Sequence, residues 1–266
     1  MPTLLGMPIH AVTISEVITR TFDGVAAGRG GTVISPNIDI VRQYRSSTEL
    51  QSVFDRTDLL VPDGMPLVVA ARLQRTPLPQ QITGTDLLWA ACAEAAARGR
   101  SVFFAGGHPG DADRAVDAVR RHLPNLRAQT CPCYVTPATE AAQLAELSRF
   151  LVAANPDIVF IGLPFRTQVS LMGVLRAALP ATWFIGVGSS FELVNGDRSR
   201  PPAWVQRLCL EWAWRLMRQP YLWRRYLVDD MPTAALLAVA ALRTRWRGPP
   251  DPARIASSQT LTSGPL

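Results

Sequence analysis

Short apolar segments alternate with longer segments of helical pattern along most of this chain, and this alternation constrains its fold more than any other feature. A strand–helix–strand order at this spacing predicts an α/β fold, with a Rossmann-like, mainly parallel sheet and helices on both faces. The predicted strands are residues 31–35, 59–61, 102–105, 158–161 and 182–187. The predicted helices are residues 48–56, 85–98, 111–123, 137–154 and 168–179. Ligands of such sheets bind at the carboxyl ends of the strands, so functional residues should follow the strands.

The composition changes near Pro201, where the chain becomes rich in tryptophan, leucine and arginine. We therefore expect an α/β core over residues 1–200, a helical appendage over 201–248 and a disordered tail over 249–266. The tryptophans and arginines of the appendage suit a membrane surface and packing against the core equally well. Pro220 and Pro232 should interrupt its helices, and Asp229 and Asp230 should form a solvated helix end.

The charge and size of the chain exclude several classes of protein. Its 266 residues are 48% hydrophobic, which excludes wholesale disorder. The formal net charge is +6, and all 27 basic residues are arginines, which suit phosphate recognition but also follow from a high-GC genome. The arginines cluster with tryptophans in one C-terminal segment that has no nucleic-acid-binding motif, so we expect no nucleic-acid partner.

The cysteines and histidines form no recognisable metal or redox motif. Cys131 and Cys133 are too close for a CxxC pair, and the chain has three histidines, so we expect no metal site. The other two cysteines are Cys92 and Cys209, and we expect all four thiols to be reduced. We also find no signal peptide and no run of eighteen apolar residues, which predicts a cytoplasmic protein without a spanning helix.

Polar loops follow the first two predicted strands. Ser35 and Asn37 offer hydrogen-bonding groups to a ligand, although both residue types also cap helices. Asp63 precedes a flexible Gly64 and could act as a general base in a cleft, although Asp-Gly also occurs in plain turns.

Glycine-rich loops follow later. Thr83-Gly84-Thr85-Asp86 precedes a helix and could present backbone N–H groups to an anion, with Asp86 serving the helix dipole. The loop at 106–110, GGHPG, would let a nucleotide diphosphate or a sugar approach the backbone, although it is not the GxGxxG fingerprint. Loops 162–168 and 186–192 also end strands, and together these loops could line one cleft.

In their order, these segments resemble the motifs of the WecG/TagA/CpsF family of bacterial glycosyltransferases, glycosyltransferase family 26. The matching motifs are SPN at 35–37, PDG at 62–64, TGTDL at 83–87, GGHPG at 106–110, GVGSSFE at 186–192, RPPAWVQRLCLEWAWRL at 200–216 and LWRRYL at 222–227. The resemblance covers about residues 8–230, and the order of seven motifs makes it specific.

The resemblance implies an inverting, UDP-sugar-dependent hexosyltransferase that needs no metal ion and no cofactor. It implies transfer of a hexose, of N-acetylmannosamine or glucose type, from a UDP-sugar to a polyprenyl-diphosphate-linked saccharide. The product would be a cell-surface polysaccharide such as exopolysaccharide, teichoic acid or an enterobacterial-type antigen. The protein would act as a peripheral protein at the inner face of the cytoplasmic membrane, and the sequence also allows a homo-oligomer.

The same resemblance assigns roles to individual residues. Asp63 is the expected general base, with Ser35, Asn37 and Gln168 near the reacting sugars. The residues expected at the UDP-sugar donor are Thr85, Gly106, Gly107, Gly110, Gly186, Gly188 and Glu192. The residues expected at the lipid diphosphate of the acceptor are Arg215, Arg218, Arg224 and Arg225.

The chain departs from the family pattern at several positions. Residues 166–169 read RTQV, so a lysine and a glutamate that flank the family's glutamine are absent. Gln81 replaces an arginine, Ser35 replaces a threonine and Glu192 replaces an aspartate. These departures leave the donor sugar open and motivate an alternative hypothesis, a non-catalytic module that binds a nucleotide sugar or a lipid diphosphate.

Overall fold

The computed structural model describes residues 1–133, 135, 140–197, 201–202, 205 and 210–247. Cys209, the predicted tail at 249–266 and much of the motif at 200–216 lie outside the described residues.

A six-stranded parallel sheet forms the centre of the fold. The strands are β1 (Thr3–Leu4), β2 (Met7–Pro8), β3 (Gly31–Ile34), β4 (Leu59–Leu60), β5 (Ser101–Gly106), β6 (Arg127–Thr130), β7 (Ile158–Gly162) and β8 (Trp183–Gly186). The sheet has the order β4–β3–β8–β7–β5–β6, and β1 and β2 form a separate antiparallel pair. Every neighbouring pair in the six-stranded sheet is parallel, which confirms the predicted sheet.

Helices cover both faces of this sheet. They are α1 (Ile14–Ala26), α2 (Ile38–Arg45), α3 (Thr48–Asp55), α4 (Met65–Leu73), α5 (Gly84–Arg98), α6 (Asp111–His122), α7 (Glu140–Ala154), α8 (Phe165–Ala178), α9 (Ser190–Val194), α10 (Glu211–Arg218) and α11 (Met231–Arg247). Successive strand residues such as Phe103 and Phe104 pack into two different hydrophobic clusters. Because side chains alternate across a strand, the two clusters lie on opposite faces, as predicted for this α/β fold.

Local sequence signals set several helix ends. Thr13 and Glu16 form a capping box that starts α1, and the Asn37 side chain caps α2. Gly99 takes a left-handed conformation, with φ of 63°, that ends α5. The helix containing Gln168 begins at Phe165, three residues earlier than predicted, so Gln168 lies in its first turns.

The appendage is helical, but Pro232 does not interrupt it. A 3₁₀ turn at Pro220–Leu222 follows α10, as Pro220 predicts. A π-helical stretch at Arg225–Asp230 then runs directly into α11, whose second residue is Pro232. A proline ring normally clashes with the carbonyl four residues earlier, and here that carbonyl belongs to a π turn instead of an α-helical turn. The expected interruption at Pro232 is therefore wrong.

The last helix of the appendage packs on the core through one side. Leu237 and Ala241 are 1% and 0% exposed and belong to a core cluster, where α11 contacts α4 and α2. Leu236, Val239 and Leu242 on the same helix remain exposed.

No helix among the described residues is long and apolar enough to cross a membrane.

Candidate active site

A cleft of about 1210 Å³ lies at the carboxyl ends of the strands, where loops of the core meet the appendage. The predicted site residues that line it are Ser35, Asn37, Asp63, Thr85, Gly107, Gln168, Gly186, Gly188, Glu192, Arg215, Arg218 and Arg225. Gly106, Gly110 and Arg224 do not line it. The parallel sheet explains this convergence, because its strands deliver their following loops to one edge.

Asp63 lies deep in this cleft on a loop with a fixed backbone. Its own N–H donates to the carbonyl of Pro36 (2.9 Å), and Ile82 N donates to the carbonyl of Pro62 (2.8 Å). Gly64, with φ of 129°, then turns the chain into α4, a conformation that favours glycine. Asp63 is only partly exposed, through the cleft.

The surroundings of Asp63 favour its neutral form. Burial raises the pKa of its carboxyl to about 7, and the negative charges of Glu211 and Asp86 act in the same direction. Arg215 and a hydrogen bond with Gln81 oppose the increase. A carboxyl with a pKa near 7 can exchange protons efficiently at neutral pH, which is the property of a general base.

Arg215 brings a positive charge from α10 to this carboxyl. Burial alone would lower the pKa of the guanidinium, but Tyr226, Asp63 and Glu211 outweigh burial and raise it. Arg215 therefore stays charged, and its charge links the appendage to the carboxyl of Asp63 in the core. Arg215 is among the site residues predicted from sequence, whereas Glu211 and Tyr226 are not, although they lie in the matching motifs at 200–216 and 222–227.

Ser35 and Asn37 extend the cleft from the end of β3. The Asn37 Oδ1 accepts a hydrogen bond from Ile40 N (3.1 Å), so Asn37 caps a helix, which is the alternative role predicted from sequence. The cap uses the amide oxygen and leaves the amide nitrogen as the group to offer a ligand. The Ser35 hydroxyl donates to the carbonyl of Gly186 (3.4 Å), which joins the loops after β3 and β8.

Gln168 is 4% exposed, and its amide lies directly against Gly186. A Cβ on Gly186 would overlap the Gln168 Nε2, with the Gln168 Cδ at 2.6 Å. The glycine at 186 therefore makes room for a buried amide that lines the cleft.

We expect Gly186→Ala to displace the Gln168 amide and to lower the free energy of unfolding by about 1–3 kcal/mol, because the site is already filled. The measurement is thermal and urea unfolding. The control is Gly173→Ala on α8, where a Cβ would meet no described atom within 4 Å. This control should be stabilised by about 0.5–1 kcal/mol, since alanine favours a helix over glycine. Equal stability of the two variants would show that Gly186 is not needed for space.

The first turn of α5 forms another part of the cleft wall. The Thr83 hydroxyl donates to Asp86 Oδ2 (2.7 Å) and accepts from Asp86 N (3.2 Å), so Asp86 serves the helix start as expected. A Cβ on Gly84 would lie 2.9 Å from both Cα and O of Val187, so glycine lets α5 approach the loop after β8. Thr85 is 5% exposed. Backbone N–H groups at the start of a helix attract anions such as phosphate.

The glycines of the loop at 106–110 shape the cleft more than they line it. Gly106, Gly107 and Gly110 have φ of 90°, 89° and 77°, which favours glycine at all three positions. The Gly107 N–H donates to the carbonyl of Gly162 (2.8 Å). Gly107 alone of the three lines the cleft.

Asp111, which is 3% exposed, fixes this loop from the first turn of α6. Its Oδ2 accepts from His108 N (2.8 Å), and its Oδ1 accepts from Arg114 (2.6 Å). The His108 ring lies 3.9 Å from the Glu192 carboxylate, so both side chains reach the same end of the cleft. Sequence analysis did not predict the role of Asp111.

The predicted arginines of the appendage occupy different surroundings. Arg218 stacks its guanidinium on the Trp214 ring at 4.6 Å and lines the cleft. Arg225 also lines it and pairs with Asp39 (3.3 Å) and Asp230 (3.7 Å). Arg224 is exposed and lies outside the cleft.

Asp230 differs from its sequence-based prediction. It was expected at a solvated helix end but is 4% exposed and lines the cleft. The π-helical stretch that carries Asp230 depends on packing against the core, which the local sequence does not reveal.

Among the described residues, no group of three histidine, cysteine, aspartate or glutamate side chains is placed to hold a metal ion. Cys92, Cys131 and Cys133 are buried free thiols. Burial raises the pKa of the Cys131 thiol to about 12.

Comparisons with known proteins point to one family. A model described as the glycosyl transferase WecG/TagA/CpsF family matches residues 2–247. The chain is 28% identical over 210 residues to a protein of Bacillus spizizenii strain W23, which covers 79% of each chain. It is 27% identical over 231 residues to a protein of Bacillus subtilis strain 168, covering 86% of this chain and 87% of the relative. Both relatives are named N-acetylglucosaminyldiphosphoundecaprenol N-acetyl-beta-D-mannosaminyltransferase.

Proposed function

Because the chain belongs to the WecG/TagA/CpsF family of glycosyltransferases, we propose that it transfers a hexose from a UDP-sugar to a polyprenyl-diphosphate-linked saccharide. The observation that carries this proposal is Asp63, a cleft carboxyl with a pKa of about 7 beside Arg215. The names of the two relatives make N-acetylmannosamine the first donor sugar to test and N-acetylglucosamine the first acceptor sugar.

In the proposed reaction, the Asp63 carboxylate accepts the proton of the acceptor hydroxyl as its oxygen attacks the anomeric carbon of the donor. The bond between that carbon and the UDP oxygen breaks, and its electron pair leaves with UDP. Attack from the face opposite to UDP inverts the anomeric configuration. Proton transfer to a positioned base accounts for about 10²–10⁴-fold of the rate.

The negative charge that develops on UDP requires positive partners in the cleft. The start of α5, at Gly84 and Thr85, offers backbone N–H groups to phosphate oxygens, and Arg218 adds a guanidinium. We propose that these groups stabilise the leaving UDP and that the reaction proceeds without a metal ion.

The test is UDP release and product mass with a panel of UDP-hexoses and a short-chain lipid-diphosphate N-acetylglucosamine as acceptor. We expect release that depends on the acceptor and occurs with one donor, with a product heavier by one hexose residue. UDP binding without turnover with every donor and acceptor would instead favour a non-catalytic binding module. Absence of UDP binding by the folded protein would contradict both.

We also propose that the appendage contacts the cytoplasmic membrane from its inner face, where it would meet a polyprenyl-linked acceptor. Eleven of the sixteen exposed large hydrophobic residues of the described chain fall in the appendage. They are Leu210, Met217, Tyr221, Trp223, Leu227, Val228, Met231, Leu236, Val239, Leu242 and Trp246. Neighbouring arginines, including the exposed Arg224, suit anionic headgroups.

We expect the purified protein to sediment with vesicles of phosphatidylglycerol and phosphatidylcholine. The double variant Trp223→Ser and Trp246→Ser should bind at least about 10-fold more weakly, because the two rings are 55% and 84% exposed. The matched control is Phe150→Ser, which removes a ring of 41% exposure from α7. Equal loss of binding in the control and the double variant would contradict a membrane contact through the appendage.

A further inference from the structure

We propose that Asp230 and Asp39 form a subsite that binds hydroxyl groups of the acceptor saccharide. This inference rests on the proposed function and deepens it, since it assigns the acceptor sugar to one end of the cleft and to two residues outside the predicted site.

Asp230 lines the cleft, and one oxygen of its buried carboxylate is unpaired within the part of the chain that the structure describes. Its side chain is 6% exposed, and its Oδ1 has no hydrogen-bond partner among the described residues. Its Oδ2 lies 3.7 Å from Arg225 Nε. Leaving a buried polar atom unpaired costs about 1–3 kcal/mol. Because Oδ1 is not itself exposed, the carboxylate recovers this energy when it turns toward a ligand hydroxyl in the cleft.

The backbone around Asp230 is also unusual. Asp230 ends the π-helical stretch Arg225–Asp230, which joins directly to α11. Single π turns within helices are rare and are frequently found at functional sites. Here the π turn brings the buried carboxylate of Asp230 to the cleft.

Asp39 is held rigidly beside Asp230. Its Oδ1 accepts from Arg42 (2.6 Å), and its Oδ2 accepts from Gln43 (3.0 Å) and from Arg225 (3.3 Å). Arg225 thus contacts both carboxylates and fixes their relative position. Two oriented carboxylates beside each other suit the hydroxyl groups of a sugar, which are hydrogen-bond donors.

The charges around Asp230 fit this role. Burial raises the pKa of its carboxyl to about 6, and Asp39 and Asp229 add to the increase, whereas Arg225 and Arg42 oppose it. At pH 7.5 the carboxyl is therefore mostly ionised. An ionised carboxylate offers acceptors alone, and it selects a ligand that donates.

The position of the pair assigns it to the acceptor end of the cleft. Asp39 follows the loop after β3, the strand whose loop also carries Ser35 and Asn37. The loop at 106–110 follows β5, and two strands separate β3 from β5. The loops after β3 and β5 are therefore three strand spacings, or about 14 Å, apart. This distance leaves room for an acceptor sugar beside the donor.

The test compares Asp230→Ala with Asp229→Ala, which removes the adjacent carboxylate of the same π turn outside the cleft. The probe is the short-chain lipid-diphosphate N-acetylglucosamine, with UDP-N-acetylmannosamine as the first donor. We expect Asp230→Ala to raise the acceptor KM about 10–100-fold and to leave the donor KM within 2-fold. Asp229→Ala should change neither constant.

Monodeoxy acceptors separate a binding role from a structural one. One deoxy acceptor should lose affinity for the wild type but not for Asp230→Ala, since the variant has already lost the same hydrogen bond. An unchanged acceptor KM, or an equal rise in the donor KM, would overturn the subsite while the proposed function stands.

Where the wild type shows no turnover, calorimetry with the same acceptor tests the subsite by binding alone. Weaker binding by Asp230→Ala than by Asp229→Ala supports the subsite, and equal or absent binding overturns it.

Discussion

Asp63→Asn is expected to lower kcat by about 10²–10⁴-fold, because asparagine cannot accept the proton of the acceptor hydroxyl. Asparagine keeps the shape of the side chain, so binding of UDP should stay within a few-fold of the wild type. The measurement is steady-state UDP release at pH 8 together with UDP binding by calorimetry. The control is Asp113→Asn on the exposed side of α6, which should leave both unchanged.

The same carboxyl sets the pH dependence of the wild type. The reaction needs the ionised form of Asp63, and burial raises its pKa to about 7. We therefore expect kcat/KM to increase with pH through a midpoint near pH 7 and to level off at about pH 8. Wild-type activity in Asp63→Asn, or a wild-type rate that is flat from pH 5 to pH 8, would exclude Asp63 as the base.

Stability should change in the opposite direction to activity. The folded pKa of Asp63 lies above its ordinary value of 3.8, so the unfolded chain loses this proton first as pH rises. The carboxyl therefore stabilises the fold below about pH 4, and this contribution is lost between about pH 4 and pH 7. Asparagine does not titrate, so at pH 8 Asp63→Asn should be more stable than the wild type by about 2–4 kcal/mol.

Arg215→Met is the second substitution with a large expected effect. It removes the positive charge that opposes the raised pKa of Asp63. The same substitution takes a positive neighbour away from the carboxylate of Glu211. The midpoint of the pH profile should move from about 7 to about 8 or higher, and activity at pH 7 should decrease at least about 5-fold. The free energy of unfolding should decrease by about 1–3 kcal/mol, because a buried charge loses its partner.

The pH profile distinguishes this electrostatic role from a merely structural one. Arg215→Lys restores the charge and should return the midpoint toward 7, even where its planar hydrogen bonds are lost. The control Arg121→Met removes an exposed arginine of α6 and should leave the midpoint unchanged. An unshifted midpoint in Arg215→Met would show that this arginine does not control the base.

The buried strands were predictable from sequence, whereas the edge strand β6 and several helices were not. β7, with the sequence IVFIG, is fully buried and reads as a continuous apolar run. β6, with the sequence RAQT, lies at the edge of the sheet and has no apolar run, because three of its four residues are polar and exposed or partly exposed. The helices α1, α2, α4 and α9 and the short pair β1–β2 were also missed. For α1 a signal existed, because Thr13 and Glu16 form a capping box.

The family resemblance seen in the motifs is confirmed by the match over residues 2–247, and the loops that carry those motifs do converge on one cleft. What local sequence could not show is contact between distant parts of the chain. Asp63 and Arg215 interact across more than half of the chain, so the charges of Arg215 and Glu211 reach Asp63 only in the folded protein. Asp230 is buried in the same way, where the π-helical stretch contacts α2 and α11.

The central claim is tested most directly by acceptor-dependent UDP release from the wild-type protein in the presence of EDTA. We predict that release from one UDP-hexose requires the lipid-diphosphate saccharide and continues at an unchanged rate when EDTA removes divalent cations. Release that stops in EDTA and returns with added Mg²⁺ or Mn²⁺ would contradict metal-independent transfer. Failure of folded, UDP-binding protein to release UDP with every donor and acceptor would contradict the assignment of a transferase activity.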